Sequence, residues 1–245
     1  MSSYLEITEA STTVTVETDD WKIVLDEADG DIKEFYTTGG GATNLAGSDG
    51  LFWSFYYDKD LGTSKYLYSS TNIAMTLLIN DPNIIKVRFS GEWAAVSGMD
   101  FVIYYTIYPS GYIFIEYNLT NNTGGDIQFQ YHLSHALQTS SDYTDSVLDG
   151  SGDTTPAYPT QFWLGHFKTS TWYIYVYTIY ISNSDFYYNS IASDTDILTL
   201  RSLTEITFSD GESVKDIKCL YIGGNETDAA EIEADGIALK DDFIS

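Results

Sequence analysis

The 245-residue chain carries 36 acidic side chains against 11 basic ones, which gives a formal net charge of −25. A chain this acidic cannot neutralise phosphates and release their counterions, so neither nucleic acid nor an anionic membrane surface is expected as a partner. Its single cysteine, Cys219, excludes an intramolecular disulfide framework and a cysteine-rich zinc site. With 43% hydrophobic and 16% aromatic residues, the chain has enough apolar surface to fold into a globular protein.

The sequence shows neither a signal peptide nor a membrane-spanning segment. Residues 1–6 lack a basic segment followed by an apolar stretch, so the sequence predicts no signal peptide. The most apolar run, residues 172–181, is rich in tyrosine and far shorter than the roughly 20 residues that a helix needs to cross a bilayer. Membrane insertion is therefore not expected, and the sequence leaves the compartment open.

Short runs rich in Val, Ile, Thr, Tyr and Phe recur between turn signals along most of the chain, whereas helical periodicity is weak. Asp29-Gly30, Asp81-Pro82-Asn83 and Pro109-Ser110-Gly111 predict tight turns, because Gly tolerates a positive φ and Pro presets its own φ. In chain order, the predicted strands are residues 12–18, 21–25, 32–36, 51–57, 73–79, 84–89, 101–108, 112–119, 127–133, 161–168, 172–181, 197–200, 205–208 and 214–222.

These strands predict one all-β domain over residues 1–245, with little or no helix. Twelve to fifteen strands exceed an immunoglobulin sandwich and favour two large antiparallel sheets packed face to face. Residues 138–160 lose the apolar alternation and predict a long loop. The acidic tail, residues 225–245, is expected to form an edge strand near Ile237–Leu239 or a mobile end.

Four stretches, in this order, resemble the galactose mutarotase-like β-supersandwich superfamily, which includes aldose epimerases and polysaccharide lyases. They are Gly30–Phe35 with Asn44–Leu45 and Gly50–Trp53, then Val87–Gly91 with Tyr105–Gly111 and Ile115–Asn121, then Gln130–His135, and finally Phe208–Ser213. The resemblance implies a supersandwich fold and a sugar as ligand. It also places His135 where the epimerases carry a substrate-facing histidine.

The resemblance does not extend to the full epimerase catalytic set. The family uses a second histidine as acid and a late glutamate as base. This chain has no glutamate between Glu116 and Glu205, and Glu205 lies too close to the turn at Gly211 to match the family's base. Asp185 would be a substitute on a shorter side chain, but no feature of the sequence requires it. Mutarotase activity is therefore not expected.

Histidine and arginine residues are the candidates for a polar site. His135 is predicted to contact a sugar hydroxyl, or else to be a half-buried residue at a strand end, and His166 would join it across the sandwich. Arg88 and Arg201 are the only arginines, and a guanidinium binds a carboxylate through two parallel hydrogen bonds. If the ligand is an acidic sugar, they are the first residues to test. The alternative is a structural ion pair with one of the 36 carboxylates. A Ser-His-Asp triad is not expected, because no strand-to-helix nucleophile elbow is visible.

The aromatic residues are the densest signal, since the C–H faces of sugars stack on Trp and Tyr rings. Residues predicted to bind carbohydrate, besides His135, are Trp163, Trp172, Tyr173 and Tyr175. Tyr177 belongs to the same cluster and shares one face of the strand with Tyr173 and Tyr175. A second group, with side chains alternating along one strand, is Trp53, Phe55 and Tyr57. The alternatives for these faces are the protein core or a contact between copies.

The loop at 138–160 supplies carboxylates that suit Ca²⁺, although their spacing differs from an EF-hand. These weak metal candidates are Asp142, Asp145, Asp149 and Asp153. No other cofactor is expected.

Together these features favour a domain that binds carbohydrate or polysaccharide, without mutarotase activity. One alternative is a polysaccharide lyase or another sugar-processing enzyme, such as an epimerase or hydrolase. The other is a structural virion or cell-surface subunit that self-associates.

Overall fold

A computed structural model describes residues 4–38, 41, 43–138, 145–147, 163–168, 172–181, 188–190, 193–194, 197–202, 205–223 and 228–244. The described chain forms two antiparallel β-sheets and one α-helix. The expected all-β sandwich is therefore confirmed.

The larger sheet has 11 strands, with β1-β2-β3-β4-β5-β11-β17-β15 as its main order. Three strands pair beside this path: β6 with β5, β16 with β17, and β18 with β11. Its strands are β1 (Glu6–Glu9), β2 (Thr13–Glu17), β3 (Trp21–Asp26), β4 (Asp31–Thr37), β5 (Phe52–Asp58), β6 (Thr63–Tyr66), β11 (Ile127–Gln138), β15 (Tyr188–Ser190), β16 (Ser193–Asp194), β17 (Ile197–Ser202) and β18 (Ile206–Phe208).

The smaller sheet has eight strands in the order β12-β13-β14-β19-β10-β9-β8-β7. Its strands are β7 (Thr71–Asp81), β8 (Ile84–Glu92), β9 (Met99–Ile107), β10 (Tyr112–Asn121), β12 (Asp145–Val147), β13 (Trp163–Lys168), β14 (Trp172–Ile181) and β19 (Ser213–Ile222). Two short 3₁₀ turns, Leu67–Ser69 and Trp93–Ala95, lie outside the sheets.

The core fills the layer between the sheets, because successive side chains of a strand point to opposite faces. In β9, Phe101, Ile103, Tyr105 and Ile107 are buried, whereas the residues between them are partly exposed. The same alternation runs through β10. Each sheet therefore presents an inner face to the core and an outer face on the opposite side.

The C-terminal tail is a helix, so the expectation of an edge strand or mobile end was wrong. Helix α1 spans Ala229–Ile244. The Asp228 carboxylate caps it by accepting a hydrogen bond from the Ala230 amide at 2.8 Å, and the alanines of the segment have high helix propensity. α1 packs on β14, and Phe243 stacks on Phe114 of β10 with ring centroids 6.1 Å apart. No described helix is both long and apolar enough to cross a membrane.

The hairpin predicted at residues 109–111 is present between β9 and β10. Its geometry leads us to expect that two Gly→Ala changes lower the free energy of unfolding by different amounts. Gly111 has φ of +91°, and an added Cβ would lie 2.0 Å from the carbonyl oxygen of Ile222. Gly124 has a similar φ of +85° but open space around it. Gly111→Ala should therefore lower the free energy of unfolding by at least about 2 kcal/mol more than Gly124→Ala. Urea denaturation measures both, and equal losses would contradict the close backbone approach at Gly111.

Candidate functional site

A buried polar network connects the two sheets. Ser54 on β5 and His135 on β11 are paired in register in the larger sheet, and Asp216 and Lys218 alternate along β19 of the smaller one. None of these four side chains has solvent-exposed surface. The Ser54 hydroxyl lies 2.8 Å from His135 Nδ1, and Asp216 Oδ2 lies 2.9 Å from His135 Nε2. Lys218 Nζ donates to both Asp216 oxygens, at 2.5 and 2.7 Å.

Burial and mutual charge set the ionisation of this network. Burial, reinforced by the positive charge of Lys218, lowers the pKa of His135 to about 4, so the imidazole is neutral at neutral pH. Burial alone would raise the pKa of Asp216, but Lys218 and His135 outweigh it and hold that pKa below its ordinary value. Burial lowers the pKa of Lys218 to about 8, against the attraction of Asp216. At neutral pH the network is an Asp216–Lys218 ion pair bound to a neutral imidazole.

Aromatic residues and a second buried carboxyl surround the imidazole. Phe52 stacks on the His135 ring with centroids 5.4 Å apart, and Tyr117 packs against it at 4.6 Å. The Tyr105 hydroxyl donates to the Gly30 carbonyl at 3.1 Å and lies 3.2 Å from Asp31 Oδ1. Burial raises the pKa of Asp31 well above its ordinary value. The polar layer is therefore closed on every side by rings and strands.

The order hydroxyl, imidazole, carboxylate is that of a catalytic triad, but neither the hydroxyl nor the imidazole of this network reaches solvent. A nucleophile has to reach the substrate, and neither Ser54 nor His135 has exposed surface. Both ring nitrogens of His135 are occupied by protein partners. The structure thus places His135 in the core rather than at an open sugar site, and the network acts by joining the sheets.

Sequence reasoning missed three members of this network: Ser54, Asp216 and Lys218. In β19 both sets of alternate residues contain apolar side chains, so the pattern did not reveal which set faces inward. Val214 and Leu220 share the inner face with Asp216 and Lys218, and a charged pair two residues apart between buried positions was the available signal.

The tyrosines of β14 lie on the outer face of the smaller sheet, where α1 covers them. Tyr173, Tyr175 and Tyr177 are nearly fully buried, and Trp163, paired with Tyr177, is completely buried. Burial raises the pKa of Tyr112 to about 12, with a contribution from Asp235 of α1. This predicted sugar face is therefore covered by the protein's own helix.

Several predicted site residues lie partly or wholly outside the described residues. Asp185 and three of the loop aspartates, Asp142, Asp149 and Asp153, are outside them. For the remaining four, Asp145, His166, Trp172 and Arg201, the structure describes the backbone alone, on β12, β13, β14 and β17. Within the described part of the chain, no group of three or more His, Cys, Asp or Glu side chains is placed to hold a metal ion.

His135 and Arg88 do not meet in one cleft. His135 belongs to the inner layer of the larger sheet, whereas β8, which carries Arg88, belongs to the smaller sheet. Arg88 occupies the partly exposed, outward set of β8 residues. Of the constellation expected from the sequence, His135 thus lies in the core and Arg88 on an outer face.

One aromatic cluster lies outside the core and keeps exposed surface. Trp53 and Phe55 alternate with the inward residues of β5 and face outward from the larger sheet, where Tyr66 and Tyr68 pack over them. We call these four residues the outer aromatic cluster. Tyr66 and Tyr68 are partly exposed and stack with centroids 5.0 Å apart at 13°. Trp53 meets their ring edges at 5.7 and 6.0 Å.

Polar groups border the outer aromatic cluster. The Trp53 indole N–H donates to Gln138 Oε1 at 3.2 Å, which fixes the orientation of the indole. Burial, with the nearby Asp49 carboxylate, raises the pKa of Tyr68 to about 12, so its hydroxyl remains protonated at neutral pH. The cluster therefore combines an apolar ring surface with hydroxyl, amide and carboxylate groups at its edge.

The sequence matches no protein-family model, and no curated protein sequence is similar to it. Solved structures show the fold. A candidate aldose 1-epimerase from Klebsiella pneumoniae superposes with a TM-score of 0.59 at 9% identity, over 96% of this chain and 87% of that chain. Heparinase III gives a TM-score of 0.53 at 10% identity, over 93% of this chain and 38% of that chain. The YidC insertase gives 0.51 at 12% identity, over 97% of this chain, which spans only 46% of the insertase.

The depressed pKa of His135 predicts a loss of stability in mild acid. The imidazole of the unfolded chain takes up a proton near pH 6.5, whereas the folded one does so near pH 4. Stability from this group is therefore present above pH 6.5 and is lost as the pH falls towards 4, by about 2 kcal/mol between pH 7 and pH 5. Urea denaturation at both pH values measures the loss. His135→Gln should be less stable at pH 7 yet lack most of this pH dependence, and an unchanged dependence in the variant would contradict the assignment.

Proposed function

We propose that the protein binds carbohydrate through the outer aromatic cluster on the exposed side of the larger sheet. The observation that carries the proposal is the stacked, partly exposed pair Tyr66 and Tyr68, supported from below by Trp53 and Phe55 and separate from the main core.

The chemistry of the cluster suits a sugar ring. A sugar presents apolar C–H faces to aromatic rings and hydroxyls to polar groups at their edges. Tyr66 and Tyr68 supply the rings, and the Tyr68 hydroxyl, Asp49 and Gln138 lie at the border. Because Trp53 and Phe55 hold the tyrosines in place, little side-chain entropy is lost on binding.

The fold is compatible with sugar binding but is not by itself evidence for it. Two of the structures that share the fold, the candidate aldose 1-epimerase and heparinase III, have names that concern sugars, whereas a third is an insertase. Function on a shared fold depends on the site, so the aromatic cluster supplies the argument. The proposal concerns binding rather than catalysis because His135, the histidine whose side chain the structure describes, is sealed in the core.

Removing one ring of the pair should weaken sugar binding. Tyr68→Ala should lower the affinity for a glycan by about fivefold, since it removes a stacking surface worth roughly 1 kcal/mol. Tyr180→Ala, which changes an exposed tyrosine of the other sheet, is the matched control and should leave the affinity unchanged. A glycan array identifies the ligand and calorimetry measures the affinity. An array without signal, or equal affinities for the two variants, would refute the proposal.

A second candidate function, a self-associating structural subunit, is favoured by one edge of the smaller sheet. β7 is the edge strand, and it carries no charged side chain from residue 71 to residue 80. Leu78 and Ile79 are 45% and 38% exposed. Uncharged, exposed edge strands are templates for pairing with another chain. The Met75 amide donates a hydrogen bond to the Glu27 carboxylate. The part of β7 from Leu77 onward is therefore the part that would pair with a second copy of the chain.

A charge on this edge should prevent such pairing. Leu78→Lys should abolish self-association, because pairing would bury the ammonium group against the other copy. Leu61→Lys changes a leucine that is 66% exposed outside β7 and serves as the control. Sedimentation equilibrium should show association for the parent chain and the control but not for Leu78→Lys. A monomeric parent chain at high concentration would eliminate this candidate.

A further inference from the structure

A cluster of cations occupies the outer face of the smaller sheet in this strongly acidic protein. Lys86 and Arg88 lie on β8 and Lys215 lies on β19, around Tyr104 of β9 and Glu116 of β10. All five residues belong to the partly exposed, outward sets of their strands. We call these residues the cationic face. It lies on the opposite surface of the sandwich from the outer aromatic cluster.

Strand register brings the members together. Arg88 is directly opposite Tyr104, which in turn is opposite Glu116. Lys86 Nζ lies 4.9 Å from the centre of the Tyr104 ring, and Lys215 Nζ lies 2.9 Å from Glu116 Oε1. With three cations and one carboxylate, the local charge is +2, opposite in sign to the chain's net charge of −25.

Arg88 has no anionic partner among the described residues. Its guanidinium contacts the Thr76 hydroxyl at 3.4 Å, which is a long hydrogen bond, and its Nε is buried without a hydrogen-bond partner. The sequence offers 36 carboxylates to two arginines, and the structural ion pair expected as the alternative role for Arg88 is not formed with any described carboxylate. A buried donor without a partner costs free energy, and a ligand that supplies an acceptor would recover it.

The carboxylate already on this face does not satisfy Arg88. Partial burial opposes its ionisation, but Lys215, Asn118 and Lys86 hold the pKa of Glu116 below its ordinary value. Glu116 is therefore ionised at neutral pH and is engaged with Lys215 rather than with Arg88. The guanidinium and the Lys86 ammonium remain as a pair of cations beside a tyrosine ring.

We infer that the cationic face binds a short acidic saccharide, with the Arg88 guanidinium forked onto the sugar carboxylate and Lys86 and Tyr104 beside the ring. A planar guanidinium matches a carboxylate through two parallel hydrogen bonds, which a lone ammonium cannot provide. Long polyanions are disfavoured because a net charge of −25 repels them, whereas one carboxylate lies within the roughly 8 Å over which the local charge acts at physiological salt.

The test compares D-glucuronate with D-glucose, glucose 6-sulfate and inorganic sulfate, using NMR titration of the full chain in low salt. The parent chain should bind glucuronate at least tenfold more tightly than glucose. Arg88→Gln should reduce the affinity for glucuronate at least tenfold. Arg88→Lys keeps the charge but loses the paired hydrogen bonds, so its affinity should lie between those of the parent chain and Arg88→Gln. Lys22→Gln removes another lysine that lies over a tyrosine, 4.0 Å from the centre of the Tyr36 ring in the other sheet, and should leave the affinity unchanged.

Equal affinity for glucuronate and glucose, or unchanged glucuronate affinity in Arg88→Gln, would overturn the inference. Binding of inorganic sulfate as tight as that of glucuronate would overturn the saccharide assignment by showing a general anion site. Glucuronate binding that survives Tyr68→Ala would confirm that this face is independent of the outer aromatic cluster, and its loss in that variant would contradict the separate site.

Discussion

The buried Asp216 carboxylate makes the contact on which the arrangement of the two sheets depends. It receives the Lys218 ammonium from its own strand and the His135 imidazole from the opposite sheet, and Ser54 completes the hydrogen bonds of that imidazole. Two buried charges carry a large desolvation cost that is offset only when every partner is in place. A shift of one residue in either sheet would exchange its inner and outer faces and separate Asp216 from the His135 imidazole. The network thus constrains sheet register more than it adds net stability.

A closed inner layer leaves the outer faces of the sheets for ligands and partners. The core contains His135, the histidine expected to face a sugar, and α1 covers the tyrosines of β14. The larger sheet retains the outer aromatic cluster on its exposed side, and the smaller sheet carries the cationic face.

Local structure could be predicted from the sequence, but which face of each strand points into the core could not. The hairpin at 109–111 and the strands beside it follow from turn chemistry and alternation, which act over a few residues. The inward direction of Asp216 did not follow, because both faces of β19 contain apolar residues and the choice depends on strands distant in the chain. Tyr66 and Tyr68 were missed because they lie at the end of the four-residue strand β6 and in the short 3₁₀ turn that follows it, where no long alternating pattern exists. Helix α1 was missed because its apolar residues are sparse and the Asp228 cap was not weighed.

If sugar binds on the outer aromatic cluster, the rings of that cluster contact the ligand and those of the core do not. NMR spectra of protein with ¹³C-labelled aromatic rings, recorded during titration with a glycan, distinguish the two locations. Saturable shifts of the Trp53, Tyr66 and Tyr68 ring signals are expected, with the His135 signals unchanged. Shifts confined to His135, Trp163 or Tyr175, with the outer cluster unaffected, would contradict binding at the outer aromatic cluster.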